Sequence, residues 1–331
     1  MSIRCPYHLG DIRIQRREGS YLCPECRVTL PRDYVEREIP KINVGLVGAS
    51  GHGKSVFLAS LFYLLQHMVD YWPGYYYLTC DDHTNRVLHV DLPRFAAGQL
   101  PKATPVHFPR PALVHYHHLP DFGSCFVGFY DAAGEIFADL RQLTQLGRFV
   151  AYADVVLFLV SLPESMADWH GAARLLNTYL QAVRDHFGVE PRARQHLVLL
   201  FTKADLCLAD LPAELREALL ERGFCRHYQA PRSKLAEMER LSGWVQSWLG
   251  RHGGRLIINT LAGQFRSVAY TLVSATGDPP EGDRLPGGMT PHNPKRVLDP
   301  FLWVLARATA SRRPRRRTLW RRLIERFWRS R

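Results

Sequence analysis

Long apolar runs, lysine and charge in the body of the chain are what this sequence has little of. No stretch of eighteen or more apolar residues occurs in its 331 residues, so it offers no candidate for a membrane-spanning helix. Lysine is scarce, six residues against thirty-seven arginines, a bias better explained by a GC-rich coding sequence than by selection at each site. The formal charge of +12 points to nucleic acid only until it is located. Residues 311 to 331 hold ten Arg and one Glu, which is +9, and the remainder carries +3. A nearly neutral body removes most of the electrostatic case for a polyanion partner. Cysteine is sparse too, seven residues with three in the first 26. With no signal-like stretch at the start, the expectation is a reducing cytoplasm and no disulfide framework. What is present, 46% hydrophobic residues, is ample for one large or two modest domains.

Cys5-Pro6-Tyr7-His8 and Cys23-Pro24-Glu25-Cys26 form C-x2-H and C-x2-C pairs separated by fourteen residues. Each pair can wrap one side of a tetrahedral ion, and a hairpin between them closes the shell, so residues 1–39 read as a small zinc ribbon with Cys5, His8, Cys23 and Cys26 as Zn²⁺ ligands. Four ligands leave no open position for catalytic water. So short a segment cannot stabilise itself by burial alone, which makes metal the natural staple. His8 is the weakest ligand, and the other reading is a bystander histidine beside reduced thiols. Seven Arg against six acidic residues give residues 1–39 no strong attraction to phosphate. A protein-docking role therefore stands at least level with nucleic-acid binding.

Gly48-Ala49-Ser50-Gly51-His52-Gly53-Lys54-Ser55 matches every fixed position of the phosphate-binding P-loop. It follows a strand-like run, Ile42 to Val47, and precedes a helix-compatible run from Val56 to Met68. Glycines there let the backbone curl its N–H groups toward phosphate oxygens, and the next helix presents its positive end to the same charge. Gly48, Ser50, Gly51, His52, Gly53, Lys54, Ser55 and Val56 are thus the expected phosphate-binding set. Lys54 neutralises the β- and γ-phosphates and Ser55 offers its hydroxyl to Mg²⁺. His52 is also open to reading as a variable loop position without a chemical role.

Three further runs follow at strand ends. Asp131-Ala132-Ala133-Gly134-Glu135, after the strand Phe126 to Tyr130, resembles the D-x-x-G switch motif, in which Asp131 holds Mg²⁺ through a water and the Gly134 N–H meets the γ-phosphate. Thr202-Lys203-Ala204-Asp205, after the strand His196 to Phe201, resembles [NT]-K-x-D. The Asp205 carboxylate can accept from guanine N1–H and N2–H₂, where adenine offers no such pair, and Lys203 lays its stem over the purine. Ser274-Ala275-Thr276, after Ala269 to Val273, resembles the S-A-x loop whose backbone reads the guanine carbonyl. Apart from the P-loop each run is weak alone; their order and placement together point to guanine nucleotide.

Motifs in this order resemble the translation-factor-related (TRAFAC) class of P-loop GTPases over about residues 41 to 276. The Asp131–Glu135 switch, the long segment after the P-loop helix and the zinc knuckles look like the bacterial double-GTPase family. That resemblance implies an α/β, three-layer P-loop NTPase domain over residues 40–310, and GTP/GDP with Mg²⁺ as ligands. It implies a GTP-hydrolysing switch acting on partner proteins, in a setting such as bacterial conflict or defence. Lys54, Glu135 and a switch I threonine are the expected catalytic residues. Thr104 is taken as that threonine and Mg²⁺ ligand, since it shortly precedes the strand at Ala112 to His117, with Thr79 and Thr84 as alternatives. Glu135 stands where many small GTPases have glutamine, so slow or partner-stimulated turnover is expected, and an arginine finger has no assigned source. The alternatives are a scaffold that holds guanine nucleotide without hydrolysis and a nucleic-acid-associated GTPase.

Residues 311–331 place Leu319, Trp320, Leu323, Ile324, Phe327 and Trp328 on one face of a basic amphipathic helix, with Arg321, Arg322, Arg326 and Arg329 elsewhere. Such a helix suits an anionic membrane surface or a protein groove equally, with nucleic acid third. Prolines from Pro279 to Pro294 mark a loop before a helix expected at Pro300 to Ala310.

Overall fold

The computed structural model of the chain describes residues 2–17, 19–220 and 228–312. Of the amphipathic helix expected over residues 311–331, all but residues 311 and 312 lies outside the described ones. Five short strands occupy the first thirty residues: β1 (Ser2–Arg4) pairs antiparallel with β2 (Asp11–Arg13), and β3 (Gln15–Arg17), β4 (Ser20–Leu22) and β5 (Thr29–Leu30) form a second antiparallel sheet. This knuckle module is not free-standing. Its Ile3, Ile12, Tyr34 and Val35 share a core with Leu113 and Phe126 of the main sheet, and the Tyr130 hydroxyl donates to the Pro6 carbonyl at 2.5 Å.

The main sheet has seven strands: β6 (Lys41–Val47), β7 (Tyr76–Thr79), β8 (Ala112–Leu119), β9 (Gly123–Asp131), β10 (Val155–Ser161), β11 (His196–Thr202) and β12 (Ser267–Leu272). Their order is β12-β11-β10-β6-β9-β8-β7. The five from β12 to β9 run parallel, while β8 and β7 add an antiparallel edge. Continuous apolar strands such as Val155–Ser161 follow from burial on both faces. Alternate side chains then serve two cores. Val44, Leu157 and Leu200 face one core with Phe57 and Leu61 of the helix Lys54–His67 and Phe301 and Leu305 of the helix Leu298–Arg312. Phe158, Leu199 and Phe201 face the other with Leu176 and Tyr179 of the helix Trp169–Gln181, Trp248 of Pro231–Arg251 and Leu261 of Arg255–Gln264. The result is the three-layer α/β sandwich of a P-loop NTPase.

The long segment between the P-loop helix and β8 is ordered by short helical turns at Asp82–Arg86, Val87–Asp91 and Leu92–Ala96. They place Leu88, Leu92 and Phe95 against the first core. Among the described residues six cysteines are free, and no helix is long and apolar enough to cross a membrane.

Candidate functional site

All of the nucleotide motifs meet at the C-terminal ends of the parallel strands, where an open α/β sheet leaves its crevice. β6 ends at Val47 and the chain curls through Gly51 (φ 79°) and Gly53 (φ 78°) into the helix beginning at Lys54. A side chain at Gly48 would meet the Leu159 carbonyl oxygen at 2.7 Å, so the loop can approach β10 only with glycine there. The Lys54 ammonium donates to the carbonyls of Gly48 (2.8 Å) and Ala49 (3.0 Å). Burial lowers its pKa, opposed by the Asp131 and Glu135 carboxylates. Half-buried Val56 lies in the first turn of that helix. His52 turns away from the loop mouth: its Nδ1 lies 3.0 Å from the Leu159 carbonyl oxygen and its Nε2 3.5 Å from Glu164. Burial lowers its pKa and keeps it neutral. Its side chain braces the loop, so any ligand contact from His52 comes through the main chain.

Ser55, Thr104 and Asp131 converge on one point. Asp131 Oδ2 accepts from Ser55 Oγ at 2.6 Å and from Thr104 Oγ1 at 3.2 Å, and the two hydroxyls are 2.9 Å apart. The other oxygen of Asp131, Oδ1, is buried without a hydrogen-bond partner. Burial raises the Asp131 pKa, against the hydroxyls and Lys54. Two hydroxyls and a carboxylate with a spare buried lone pair are a fitting donor set for a hard cation such as Mg²⁺. The alternatives to Thr104 lie elsewhere: Thr79 is on the edge strand β7, and the Thr84 hydroxyl is committed to Asp81 and the Leu113 N–H. Gly134 packs on the P-loop itself, where a Cβ would collide with the backbone nitrogen of Ser50. Exposed Glu135 follows, its carboxyl held below the usual range by its own backbone N–H and then by the Ser50 hydroxyl. It is an ionised acceptor.

At the end of β11 the Thr202 hydroxyl donates to the His52 carbonyl at 2.9 Å, tying this loop to the P-loop. Lys203 adopts a left-handed conformation (φ 56°) and its ammonium reaches Glu164 at 3.1 Å. Asp205 is half-buried; burial raises its pKa and the Ser274 hydroxyl lowers it. Ser274 is fully buried at the end of β12, and its Oγ also accepts from the Gly277 N–H at 2.9 Å. Ala275 is half-buried and the Thr276 hydroxyl donates to the Asp278 carbonyl. The Thr202–Asp205 and Ser274–Thr276 runs thus sit at strand ends on the same edge of the sheet as the P-loop, with β10 between β11 and β6.

In the knuckle module the donor atoms of Cys5, His8, Cys23 and Cys26 lie within 4.8 Å of one another. The two turns match position by position. Leu9 N–H bonds the Cys5 carbonyl as Arg27 N–H bonds that of Cys23, and Cys5 N–H bonds Gly10 as Cys23 N–H bonds Val28. Leu9 (φ 60°) and Arg27 (φ 57°) are both left-handed. His8 therefore occupies the place that Cys26 fills in the second knuckle, with Nε2 3.1 Å from Cys23 Sγ and Nδ1 3.4 Å from Glu25. The Gly10 N–H donates to the same Nδ1 at 3.1 Å and fixes the orientation of the ring. Four such donors fit a tetrahedral ion.

Glu164 is the residue that sequence reasoning missed. It touches both His52 and Lys203, and only the adjacency of β10 to β6 and β11 puts it there; a charged residue just past a buried strand was the one available signal. A family model described as Double-GTPase 2 matches residues 42–244. That span includes the P-loop, Asp131 to Glu135 and Thr202 to Asp205, and leaves the knuckles and Ser274 to Thr276 outside. No curated protein matches the chain.

Proposed function

Because the chain belongs to the Double-GTPase 2 family, we propose that it is a Mg²⁺-dependent guanine-nucleotide switch whose hydrolysis step is controlled through partner proteins. The observation that carries this reading is the convergence of Ser55, Thr104 and Asp131 beside the P-loop, with Asp131 Oδ1 unanswered. These three residues would hold Mg²⁺, which when bound draws negative charge from the phosphate oxygens. Main-chain N–H groups from Gly48 to Val56, with the Lys54 ammonium, bind and orient the phosphates. Gly134, already against Ser50, offers its N–H to a third phosphate, so that Thr104 and Gly134 report whether it is there.

Glu135 would accept a hydrogen bond or proton from an attacking water. As an ionised carboxylate it cannot donate one to the transferring phosphoryl group, which favours slow turnover until a partner supplies further stabilisation. Asp205, kept in place by Ser274, accepts from the guanine edge, Lys203 covers the ring and the Ser274–Thr276 backbone meets the carbonyl. Cys5, His8, Cys23 and Cys26 hold Zn²⁺ in a closed structural site. Partner regulation in bacterial conflict or defence rests on the family resemblance.

Titration with GTP, ATP and XTP of the full chain and of Asp205→Asn tests the assignment. Wild type prefers GTP over ATP by at least about 100-fold, since unpaired buried polar groups reject the wrong base. The variant shifts toward XTP. Equal ATP binding, or no shift in the variant, sinks the guanine reading; retained binding without phosphate release in single turnover would make the protein a scaffold.

A further inference from the structure

At the opposite end of the sheet, beneath the starts of β10, β11 and β12, lies a cavity of about 300 Å³. Arg4 from the knuckle module, Arg194, Arg266, His196, Tyr152 and Asp154 line it. Three arginines share the lining with one carboxylate, Asp154, which already accepts from the Asn43 N–H at 2.8 Å, while Arg4 also pairs through Nε with Asp11 at 3.3 Å outside the lining. Arg194 and Arg266 form no ion pair among the described residues. The walls are built rather than incidental. Fully buried Gln195 donates through Nε2 to the carbonyls of Val150 (2.6 Å), Ala151 (3.2 Å) and Ala153 (3.3 Å), and its Oε1 takes the Tyr179 hydroxyl at 2.8 Å. The loop forming one side of the cavity is thereby pinned from behind.

The field inside is positive. Buried His196 has its pKa pushed down to about 4 by desolvation and then by the charges of Arg266 and Arg307, so it presents a neutral ring whose Nδ1 is 2.7 Å from the Ser267 hydroxyl. We propose that this cavity binds a small soluble phosphorylated ligand carrying at least two negative charges, at a site separate from the nucleotide crevice. Guanidinium forks from three different chain segments match the geometry of phosphate oxygens. Its volume stands at the small end of ligand pockets, room for a compact phosphate ester rather than a polymer. A ligand there would join Arg4 of the knuckle module to the base of β11 and β12.

Pyrophosphate is the probe, titrated calorimetrically into the full chain saturated with GDP and Mg²⁺. Arg194→Glu/Arg266→Glu alters two exposed side chains and leaves the core intact. Arg86→Glu/Arg94→Glu makes the same charge change on exposed residues remote from the cavity. The expected result is at least about tenfold weaker pyrophosphate binding in the first variant only. In wild type the His196 imidazole resonances move along the same titration curve. Because any binding at the P-loop is common to all three proteins, the difference between variants reports the cavity. Equal affinity in all three, equal weakening in both variants, or an unmoved His196 would overturn the proposal.

Discussion

The two ends of the same parallel strands are built on opposite plans. At their C-terminal ends polar groups are left waiting: Asp131 Oδ1 has no partner, glycines at 51 and 53 open the backbone, and Gly134 lies against Ser50 with no room for a side chain. At their N-terminal ends side chains answer the backbone, with Gln195 serving three carbonyls and Asp154 holding the Asn43 N–H. The first end leaves main-chain and carboxylate groups open, whereas at the second the backbone is pinned and the open groups are the arginine side chains of the cavity. Burying a polar atom without a partner costs about 1–3 kcal/mol, so the unanswered Asp131 Oδ1 beside two hydroxyls is a place where a ligand can supply the partner.

Gly134→Ala should break this contrast most severely. A methyl group there has to displace the Ser50 backbone, so single-turnover GTP hydrolysis should fall by about 100-fold or more, the scale of losing one oriented donor, with GDP binding retained. Gly243→Ala, where a Cβ meets nothing within 4 Å, is the matched control and should leave the rate unchanged. Next in size is Cys23→Ser or chelation of the full chain. With the ligand set broken, the module should unfold and uncover Leu113 and Phe126, lowering the melting temperature and binding a hydrophobic dye while bound zinc drops below one per chain. Retained stability after zinc loss would show that docking on β8 and β9 suffices. The smallest effect falls on the closed end: Gln195→Leu should cost about 3 kcal/mol in denaturant unfolding by leaving carbonyls unpaired, without changing the preference for GTP over ATP. A changed preference would mean that the two ends are not separable.

What could be read from sequence was chemistry carried by neighbours along the chain. Gly48 to Ser55 and Asp131 to Glu135 declare themselves because glycine, lysine, serine and aspartate at fixed offsets have no packing reason to recur. Thr104 belongs to no such run and was chosen by position relative to β8; its placement beside Ser55 needed the fold. The inward turn of His52 and the bridge made by Glu164 were illegible, since both depend on Leu159 and Lys203, more than a hundred residues from His52. His8 shows the intermediate case. Spacing alone left it ambiguous between ligand and bystander, while the left-handed residues at positions 9 and 27 reveal two copies of one turn. The docking of the knuckle module on Leu113 and Phe126 was also beyond sequence, because an apolar residue on a strand does not say which neighbour will cover it.

The hydrogen bond from Thr202 to the carbonyl of His52 has a consequence for signalling. It fastens the Thr202–Asp205 loop to the P-loop, so that in the proposed switch these two stretches would form one fixed frame for the guanine nucleotide. Such a frame would hold guanosine di- and triphosphate alike and would carry no news of turnover. That news has to travel through the segments holding Thr104 and Gly134, and a partner that responds to one nucleotide state must touch one of them.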